Sequence, residues 1–464
     1  MSERTTERAG PALVGAPALA RWIAAFDGAA LPARVIDQAK LLLLDSLGCA
    51  FAGRDEPVAR GILATCAALG GAGSCTVIGA RAKTDPARAT LANGVLVRVL
   101  DLNDYLISDS ERGPEIGGHP SDNIAVALAV GEARRRSGRD ILAAIALGYD
   151  LYEHFKARMD RAEPWDGVGV SGFVAPAVAG RLIGLDAGRL AHALALGGMR
   201  AALPAIVRRG GISAAKSIAN ALVAEAGVEA ALLAEHGVTG PLAILESDDG
   251  LRRVFPTPQP LPAVPGAAIL RANMKAYPCL ATGQCAVAAA LRLRSSIAAE
   301  AIERIELIMA DYPFIVRQQG DPGRARPQSR EAADHSFPFL VAVALIDGAF
   351  GPGQFERERW RDPAVTALMA RVVMRTDRSL NGRAPGSYPC VLRAVARDGG
   401  AREVEVLYPP GHAHAGLDEA AVVEKFHAVA AAALDRDRRD RVVDAVLAFP
   451  RAADTDALTA TIGA

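Results

Sequence analysis

Residues 35–53 read VIDQAKLLLLDSLGCAFAG, and this stretch decides the class of fold. Apolar side chains fall on most faces of a helix drawn through it, which is typical of a helix buried on several sides. Thr84-Asp85-Pro86 and Pro120-Ser121-Asp122 each read as a cap that opens a helix, the first to about residue 100 and the second over about 123–135. Helices are also predicted over about 141–158 and 216–235. Because strands do not alternate with these helices, a doubly wound sheet is a poor fit.

The pattern changes after Phe255–Gly266, a stretch with five prolines that predicts a domain crossing. Beyond it, Ile305–Met309 alternates at period two, and residues 391–408 read as a hairpin around Asp398-Gly399. Helical periodicity returns from residue 417 to about 449. The sequence therefore predicts a mostly α protein, in which a large all-helical domain is built from residues 1–266 and 413–464. A smaller α+β domain, residues 267–412, is inserted into it.

Composition limits the classes of partner and the cellular location. Lys and Arg number 52, as do Asp and Glu, so no strong field of one sign favours nucleic acid or an anionic membrane as the partner. The N-terminal sequence MSERTTERAG lacks the apolar region of a secretory signal, and no stretch of about 20 strongly apolar residues is apparent. We therefore expect a cytoplasmic protein without nucleic-acid or membrane partners. The six cysteines lack metal-ligand spacing, so no metal or other cofactor is expected.

The first candidate for chemistry is the pair of segments around Asp101 and His119. Asp101 and Asp104 are three residues apart at a predicted helix end, so both carboxylates could face one way. His119 shortly precedes a predicted helix start, where backbone N–H groups attract anions, and a histidine there could act as an acid or base. The alternative is a set of helix caps in which His119 bonds to a backbone carbonyl.

Lysine usage supplies the second candidate, because only six of the 52 Lys and Arg residues are lysines. Lys216 and Lys275 have no acidic neighbour nearby in sequence, so each is expected to face a cleft or an anionic ligand, unless it lies at the surface. His335 could contact a ligand or cap the helix that follows it. His412 and His414 resemble a metal pair, but a solvated loop explains them better because no third ligand is near.

Taken together, these segments resemble the MmgE/PrpD family, which includes 2-methylcitrate dehydratase, cis-aconitate decarboxylase and iminodisuccinate epimerase. The resemblance implies a helical domain with an α+β lid domain, a homodimer, and an active site between the domains without metal or organic cofactor. It rests on segments that occur in family order: Leu42–Gly53 (LLLDSLGCAFAG), Leu100–Tyr105 (LDLNDY), Gly118–Asn123 (GHPSDN), Lys216–Asn220, Lys275–Cys279 (KAYPC) and His335–Phe337 followed by Asp347-Gly348.

Carried over residue by residue, the resemblance places Asp101, His119, Lys216 and Lys275 around the substrate as catalytic residues. Three departures stand out: Tyr105 replaces the usual Thr, residues 165–173 (WDGVGVSGF) lack a His that decarboxylase and dehydratase members carry, and the loop 106–117 is longer than in the decarboxylase branch. A tyrosine, Tyr105 or Tyr149, could replace the missing acid. The set of substrate-binding candidates comprises Asp104, Tyr105, Ser121, Tyr149 and His335.

The family's reactions abstract a proton, or release CO2, at carbon next to a carboxylate. We therefore expect a cofactor-free lyase or isomerase of a small di- or tricarboxylate, similar to 2-methylcitrate dehydratase, in which the lysines stabilise carbanion-like charge. His119 would move the proton and titrate within the physiological range. The alternatives are a cis-aconitate-type decarboxylase, an iminodisuccinate-type epimerase, an iron–sulfur hydratase, or a non-catalytic carboxylate-binding or dimerisation protein.

Overall fold

Helices dominate the chain, as the capping and periodicity patterns predict. The computed structural model describes residues 15–71, 73–110, 113–160, 164–209, 211–257 and 260–464. Within these ranges the α-helices of the first half are α1 (Ala16–Ala24), α2 (Ala33–Gly53), α3 (Pro57–Leu69), α4 (Pro86–Arg98), α5 (Ile124–Ala133), α6 (Gly138–Arg158), α7 (Ser171–Ile183), α8 (Ala187–Gly198) and α9 (Ala215–Glu235).

The second half of the chain mixes helices and strands. Its α-helices are α10 (Gln284–Leu293), α11 (Pro313–Gln319), α12 (Pro322–Ala325), α13 (Arg330–Ala333), α14 (Phe337–Asp347), α15 (Pro363–Met369), α16 (Glu419–Ala430), α17 (Arg436–Ala448) and α18 (Asp456–Ile462). The strands of the chain are β1 (Cys75–Thr76), β2 (Lys83–Thr84), β3 (Leu106–Ser110), β4 (Gly113–Gly118), β5 (Ile302–Ala310), β6 (Val372–Asp377), β7 (Cys390–Ala396) and β8 (Ala401–Val406).

Several predicted helix starts are confirmed by their capping contacts. The Asp85 side chain accepts hydrogen bonds from two backbone N–H groups at the start of α4, and the Ser137 side chain accepts one, from the Asp140 N–H, at the start of α6. The helix predicted over about 123–135 is confirmed as α5, but the predicted cap is not, because residues 120–123 form a 3-10 turn and α5 has no side-chain cap.

The first of two large hydrophobic clusters consists of α1 to α9 together with α16 to α18. Helix α9 lies at its centre and packs against α4, α7 and α8, whereas α2 packs against α16 from the C-terminal part of the chain. Within it, Phe155 stacks on Phe173 with ring centroids 4.4 Å apart, and Phe255 packs edge-on against both rings at 5.7 Å. These three rings join α6, α7 and the segment that follows α9.

The second cluster surrounds a four-stranded sheet of order β6-β5-β7-β8. Strand β5 pairs in parallel with β6 and antiparallel with β7, and β7 pairs antiparallel with β8 in the predicted hairpin. Helices α10 and α14 supply much of the apolar cover of this sheet. Residues 268–274 still pack in the first cluster, whereas residues 279–406 pack in the second.

Residues 106–110 and 113–118 are paired strands, where the sequence led us to expect a long loop over 106–117. Strands β3 and β4 pair antiparallel, with a register shift between Leu106 and Ile107. Tyr105 and Ile107 pack into the second cluster, although helices of the first cluster flank them in sequence. The Tyr388 hydroxyl donates a hydrogen bond of 2.8 Å to the carbonyl of Pro114. The hairpin therefore ties the two hydrophobic clusters together.

One helix, α9, is long and apolar enough to span a membrane by length and composition alone, and 67% of its most apolar window is buried in the protein. The other candidate in the described residues joins α14 to residues 352–361 across a bend of 113°. Core helices often have this composition, so these two features are weak evidence for a span.

Close packing of α9 on α7 yields a stability prediction for Gly227. A Cβ at this position would lie 2.6 Å from the Cβ of Ala175, so Gly227→Ala should lower the free energy of unfolding by about 1–3 kcal/mol. Gly61→Ala is the matched control, because Gly61 is an exposed position of α3 with open space around it. It should raise the free energy of unfolding by about 0.5–1 kcal/mol. Urea denaturation of both variants checks this, and equal shifts would contradict it.

Candidate active site

A buried carboxylate, Asp101, is the centre of an ionic cluster. Asp101 follows the end of α4 with a φ of 52°, an uncommon backbone conformation for a residue other than glycine. Its side chain lies 3.0 Å from Arg98 Nη1, 3.0 Å from Lys216 Nζ and 2.5 Å from Lys275 Nζ. Burial alone would raise the pKa of Asp101, but Lys216, Lys275 and Arg98 outweigh it and hold this pKa well below its usual range. Asp101 is therefore ionised.

The surroundings of Lys216 and Lys275 correct a prediction from the sequence. Both ammonium groups were expected to face a cleft or a ligand, but both are fully buried against carboxylates. Lys216 Nζ lies 2.9 Å from both carboxylate oxygens of Asp334 as well as contacting Asp101. Lys275 also donates to the Asp101 backbone carbonyl at 2.9 Å. The acidic partners lie far away in sequence, which is why the neighbouring residues did not reveal them.

A cavity of about 180 Å³ lies against this cluster. Drug-sized ligands occupy roughly 300–1,000 Å³, so this cavity suits a smaller metabolite. Its walls carry several ionisable side chains together with apolar ones from the hairpin and from residues 280–314. They are Arg98, Asp101, Ile116, Gly118, His119, Tyr152, Lys156, Asp166, Gly167, Val168, Arg208, Leu280, Ala281, Thr282, Phe314, Gln318 and His335.

His119 lines this cavity as a neutral imidazole. Its Nδ1 lies 2.7 Å from the backbone carbonyl of Asp104, which can only accept, so Nδ1 carries the proton and Nε2 is the basic nitrogen. Burial, followed by Arg98 and Lys275, lowers the pKa of His119 well below its usual value. The expectation that His119 titrates in the physiological range is therefore wrong, because burial and two cations outweigh Asp101. The carbonyl bond matches the capping alternative, and the cavity position keeps a chemical role open.

His335 also lines the cavity, beside the ionic cluster. Its Nδ1 contacts Asp334 and lies 3.9 Å from Asp101. Burial and Lys216 lower the pKa of His335 to about 4. The capping alternative for this segment applies to the next residue, since the Ser336 side chain accepts from the Phe339 N–H at the start of α14. His335 itself is thus placed where a ligand could reach it.

Asp104 points away from Asp101, contrary to the prediction that both carboxylates face one way. The helix α4 ends at Arg98, so the helical spacing does not extend to these residues. Asp104 instead accepts from the Tyr149 hydroxyl at 2.7 Å and from the Ser121 backbone N–H at 3.3 Å. Burial raises the pKa of Asp104 to about 7. Asp104, Ser121 and Tyr149 thus form a buried network behind His119.

The tyrosine at the cavity is Tyr152, and not Tyr105 or Tyr149. Tyr105 is buried in the second hydrophobic cluster, and neither it nor Tyr149 lines the cavity. Tyr152 lies beside Gly118, where a Cβ would meet the tyrosine ring at 2.5 Å and its hydroxyl at 2.8 Å. Gly118 has a φ of +100°, so glycine is favoured both by the backbone and by the space that Tyr152 occupies.

Besides Tyr152, four charged residues at the cavity were missed in the sequence, namely Arg98, Lys156, Asp166 and Arg208. Lys156 is one of the six lysines, so lysine rarity could have found it, and Arg98 lies three residues before Asp101. No comparable feature of the sequence distinguishes Arg208 from the many other arginines of this chain. Lys216 and Lys275, the lysines predicted as site residues, lie behind Asp101, whereas the four missed residues line the cavity.

One group of side chains in the described residues has metal-binding spacing. Ligand atoms of Asp101, Asp334 and His335 lie within 4.8 Å of one another. Lys216 Nζ lies between the two carboxylates, at 3.0 Å from Asp101 and 2.9 Å from Asp334, so an ammonium already occupies the place of a cation. This donor set therefore does not fit a metal ion.

The other metal candidates from the sequence are the pair His412 and His414 and the six cysteines. His412 donates from Nε2 to the Gly386 carbonyl at 2.7 Å, and its Nδ1 accepts from the His414 N–H at 3.0 Å. Both ring nitrogens of His412 are thus engaged within the loop. His412 is buried and His414 is exposed, so the solvated loop expected from the sequence is wrong for His412. All six cysteines are buried and free, and no cysteine belongs to a metal-like group among the described residues.

A second cavity, of about 1680 Å³, opens elsewhere between the two hydrophobic clusters. It is lined by seven carboxylates but by only three cations, Arg330, Arg357 and Lys425. An excess of acidic side chains repels an anionic ligand, whereas in the smaller cavity the cations Arg98, Lys156 and Arg208 outnumber the carboxylates Asp101 and Asp166. The smaller cavity is therefore the better candidate for an anion.

A neutral histidine, a tyrosine and several cations thus line one small cavity, an arrangement typical of enzyme active sites. Residues 17–263 match the MmgE/PrpD N-terminal domain, and residues 277–448 match the MmgE/PrpD C-terminal domain. The chain belongs to the MmgE/PrpD family, which confirms the resemblance found in its sequence.

Curated relatives extend over nearly the whole chain. The mouse cis-aconitate decarboxylase is 27% identical, with 92% of this chain and 88% of the relative covered. The human cis-aconitate decarboxylase is 24% identical, with 92% and 90% covered. The cis-aconitate decarboxylase-like protein oryM of Aspergillus oryzae is 24% identical, with 96% of each chain covered. These relatives are lyases, and the chain is an enzyme of the same family.

The buried network behind His119 yields a pH prediction. The folded-state pKa of Asp104, about 7, lies above the value of about 4 expected in the unfolded chain. The folded chain therefore holds a proton that the unfolded chain loses, and this group lowers the free energy of unfolding as pH rises from about 4 to about 7. Asp104→Asn removes the charge, so its thermal midpoint should exceed that of the parent above pH 7.

Asp248→Asn is the control, because it removes a carboxylate whose side chain is 80% exposed. Thermal scans between pH 5 and pH 8.5 should show this control following the parent. A pH profile of Asp104→Asn that parallels the parent throughout would show that Asp104 is not held protonated in the folded chain.

Proposed function

We propose that the chain is a cofactor-free lyase that abstracts a proton next to a carboxylate of a small polycarboxylate, in the manner of a 2-methylcitrate dehydratase. The observation that carries the proposal is the neutral His119, whose basic Nε2 belongs to a cavity lined by Arg98, Lys156 and Arg208. A depressed pKa keeps the imidazole in its basic form, and the cations attract the anionic substrate. Both properties suit proton abstraction from a carboxylic acid.

The elimination uses two groups of this cavity. His119 Nε2 takes the proton from the carbon next to the carboxylate, and the electron pair left on that carbon forms the new double bond. The bond between the neighbouring carbon and its hydroxyl breaks, and the hydroxyl leaves as water with the proton of Tyr152. Burial raises the pKa of Tyr152, so this phenol is protonated before the reaction. The His119 imidazolium then returns its proton to the Tyr152 phenolate.

The ionic cluster supplies the electrostatic part of this mechanism. Negative charge develops on the substrate carboxylate as the proton leaves, and Arg98 lies at the cavity wall to stabilise it. Lys216 and Lys275 act through Asp101. Because they neutralise its negative charge, Asp101 does not fully cancel the positive charge of Arg98. The catalytic roles of Asp101, Lys216 and Lys275 are thus proposed as electrostatic.

Decarboxylation of a cis-aconitate-type substrate is the second candidate, and the names of the relatives favour it. Loss of CO2 leaves electrons that form a double bond, and the distal carbon of the original double bond must receive a proton. Tyr152 is the proton donor at this cavity that fits this step, because His119 is neutral. The two reactions therefore depend differently on His119 and Tyr152. An iminodisuccinate-type epimerase would use His119 and Tyr152 as base and acid on opposite faces of one substrate carbon.

The domain arrangement belongs to the same proposal. We expect the unit of residues 267–412 to act as a lid on a helical domain of residues 1–266 and 413–464. In support, Leu280, Phe314 and His335 on one side, and Arg98 and His119 on the other, line one cavity. A homodimer in the cytoplasm, without nucleic-acid or membrane partners, remains a prediction from the sequence and the family resemblance.

His119→Gln tests the proposal directly. Glutamine is similar in size but cannot transfer a proton, so kcat for dehydration of 2-methylcitrate should fall by about 10²-fold or more. The parent should keep its activity as pH falls through 6.5, because the pKa of His119 lies well below that value. Product formation is followed by ultraviolet absorbance of the new double bond, in the presence of EDTA. His236→Gln is the control, since His236 is exposed and distant from the cavity lining.

The same assays distinguish the two candidates. Tyr152→Phe should abolish CO2 release from cis-aconitate if decarboxylation is the reaction, whereas His119→Gln should affect it much less. Parental turnover that survives both substitutions would contradict the proposed mechanism. Absence of turnover with 2-methylcitrate, citrate, cis-aconitate and iminodisuccinate would contradict the substrate class.

A further inference from the structure

The acid-lined cavity, the space of about 1680 Å³ between the two hydrophobic clusters, has no role in the proposed mechanism. Among the described residues, none lines both this cavity and the small cavity of His119. Drug-sized ligands occupy roughly 300–1,000 Å³, so the acid-lined cavity has room for a second ligand of that size. Its charge and its apolar walls indicate the chemistry of such a ligand.

The walls of the acid-lined cavity carry negative charge that the protein does not compensate. Of the three cations there, Lys425 lies 2.5 Å from Asp45, a buried carboxylate outside the cavity wall. Arg330 lies 3.3 Å from Glu56. Of the seven carboxylates, only Glu56 and Glu358 form an ion pair with a described residue. A cationic ligand is therefore favoured. The carboxylates without an ion pair in the described part of the chain are Asp55, Glu331, Glu356, Asp418 and Glu424.

Glu331 is the member of this set that is buried. It is only 6% exposed, and its carboxylate forms no hydrogen bond or ion pair within the described residues. Its oxygens are not among the sealed polar atoms of those residues, so they are open to the cavity that Glu331 lines. Buried carboxylates are normally paired, because a buried charge without a partner is unfavourable. A cation from solution would supply the missing partner.

Aromatic side chains form part of the wall near Glu331. Glu331 lies in α13, which packs against the segment 352–361 that carries Phe355 and Trp360. These two rings are largely buried, and they line the cavity together with Phe350. An apolar wall of this kind contacts the carbon skeleton of a ligand, and aromatic faces also attract cations. The combination suits an organic cation.

The carboxylates of this cavity lack the spacing of a metal site. In the part of the chain that the structure describes, the one group of three ligand atoms within 4.8 Å of one another comes from Asp101, Asp334 and His335, and none of these residues lines the acid-lined cavity. Divalent metal ions need several oxygen ligands around one point. An ammonium group can instead pair with a single carboxylate.

We propose that the acid-lined cavity binds an organic cation, whose ammonium group pairs with Glu331 and whose apolar body lies against Phe350, Phe355 and Trp360. This site is separate from the small cavity of His119. Its ligand is opposite in charge to the carboxylic acid on which the enzyme is proposed to act. The site therefore adds a second ligand to the protein and does not depend on the proposed function.

Compounds that share one carbon skeleton test the charge requirement of the site. Near neutral pH, 4-phenylbutylamine is a cation, 4-phenylbutanol is neutral and 4-phenylbutyrate is an anion. Isothermal titration calorimetry of the full chain should show that the amine binds about tenfold or more tightly than the alcohol, which is the usual effect of a hydrogen bond to a charged group. The anion should bind more weakly than the alcohol. Methylamine, a cation without an apolar body, should bind more weakly than 4-phenylbutylamine.

Glu331→Gln keeps the size of the side chain but removes its charge. In this variant the preference for the amine over the alcohol should fall below about threefold. Glu300→Gln is the matched control, because Glu300 is exposed and does not line the cavity, and it should keep the parental preference. The thermal midpoint of Glu331→Gln should equal or exceed that of the parent, since the substitution removes an unpaired buried charge.

The contrary outcomes are distinct from one another. A parent that binds amine and alcohol equally, or binds neither, overturns the cation site. A Glu331→Gln variant that keeps the preference overturns the assignment of Glu331. A clear fall in the thermal midpoint of this variant would show that Glu331 has a structural role instead. Equal binding of methylamine and 4-phenylbutylamine would contradict the apolar part of the site. None of these measurements involves turnover, so each leaves the proposed function intact.

Discussion

The charge of Asp101, buried among three cations, is the interaction on which the rest of this structure depends. Asp101 and Lys216 come from the helical part of the chain, whereas Asp334 and Lys275 come from segments beside the second hydrophobic cluster. A buried ion left without its partner costs about 3–5 kcal/mol, so the network ties the two parts of the molecule into one arrangement. The strained backbone of Asp101, with its φ of 52°, is held by the same contacts.

The ionic cluster also sets the chemistry of the cavity beside it. Burial makes an imidazolium unfavourable at His119, and Arg98 and Lys275 make it more so. The carbonyl of Asp104 fixes the proton on Nδ1, which leaves a basic Nε2. Under the proposed function, the same positive surroundings attract a carboxylate substrate and stabilise the charge that develops when its proton leaves. Substrate binding and the protonation state of the base therefore have a common electrostatic origin.

The sequence predicts the elements well because their causes are local. Caps such as Asp85, the proline stretch after Phe255 and the hairpin of β7 and β8 each depend on a few adjacent residues. Contacts within the site depend on residues that are far apart in sequence: Lys216 pairs with Asp101 and Asp334, at separations of 115 and 118 residues.

The positions of Tyr152 and Asp104 show why other parts of the site could not be predicted from the sequence. Tyr149 and Tyr152 are one helical turn apart on α6, and periodicity alone cannot tell which of them reaches the cavity. Asp104 was placed beside Asp101 because the helix was predicted to continue to about residue 100, whereas α4 ends at Arg98. The motifs of the family nevertheless predicted His119, Asp101 and His335 as site residues, and all three line one cavity in the structure.

A crystal structure of the chain with bound tricarballylate tests the central claim most directly, because two cavities compete for the ligand. The account predicts electron density in the cavity of about 180 Å³, with a carboxylate on Arg98 and with carbon next to His119 Nε2. Density in the acid-lined cavity of about 1680 Å³, with the smaller cavity empty, would contradict it.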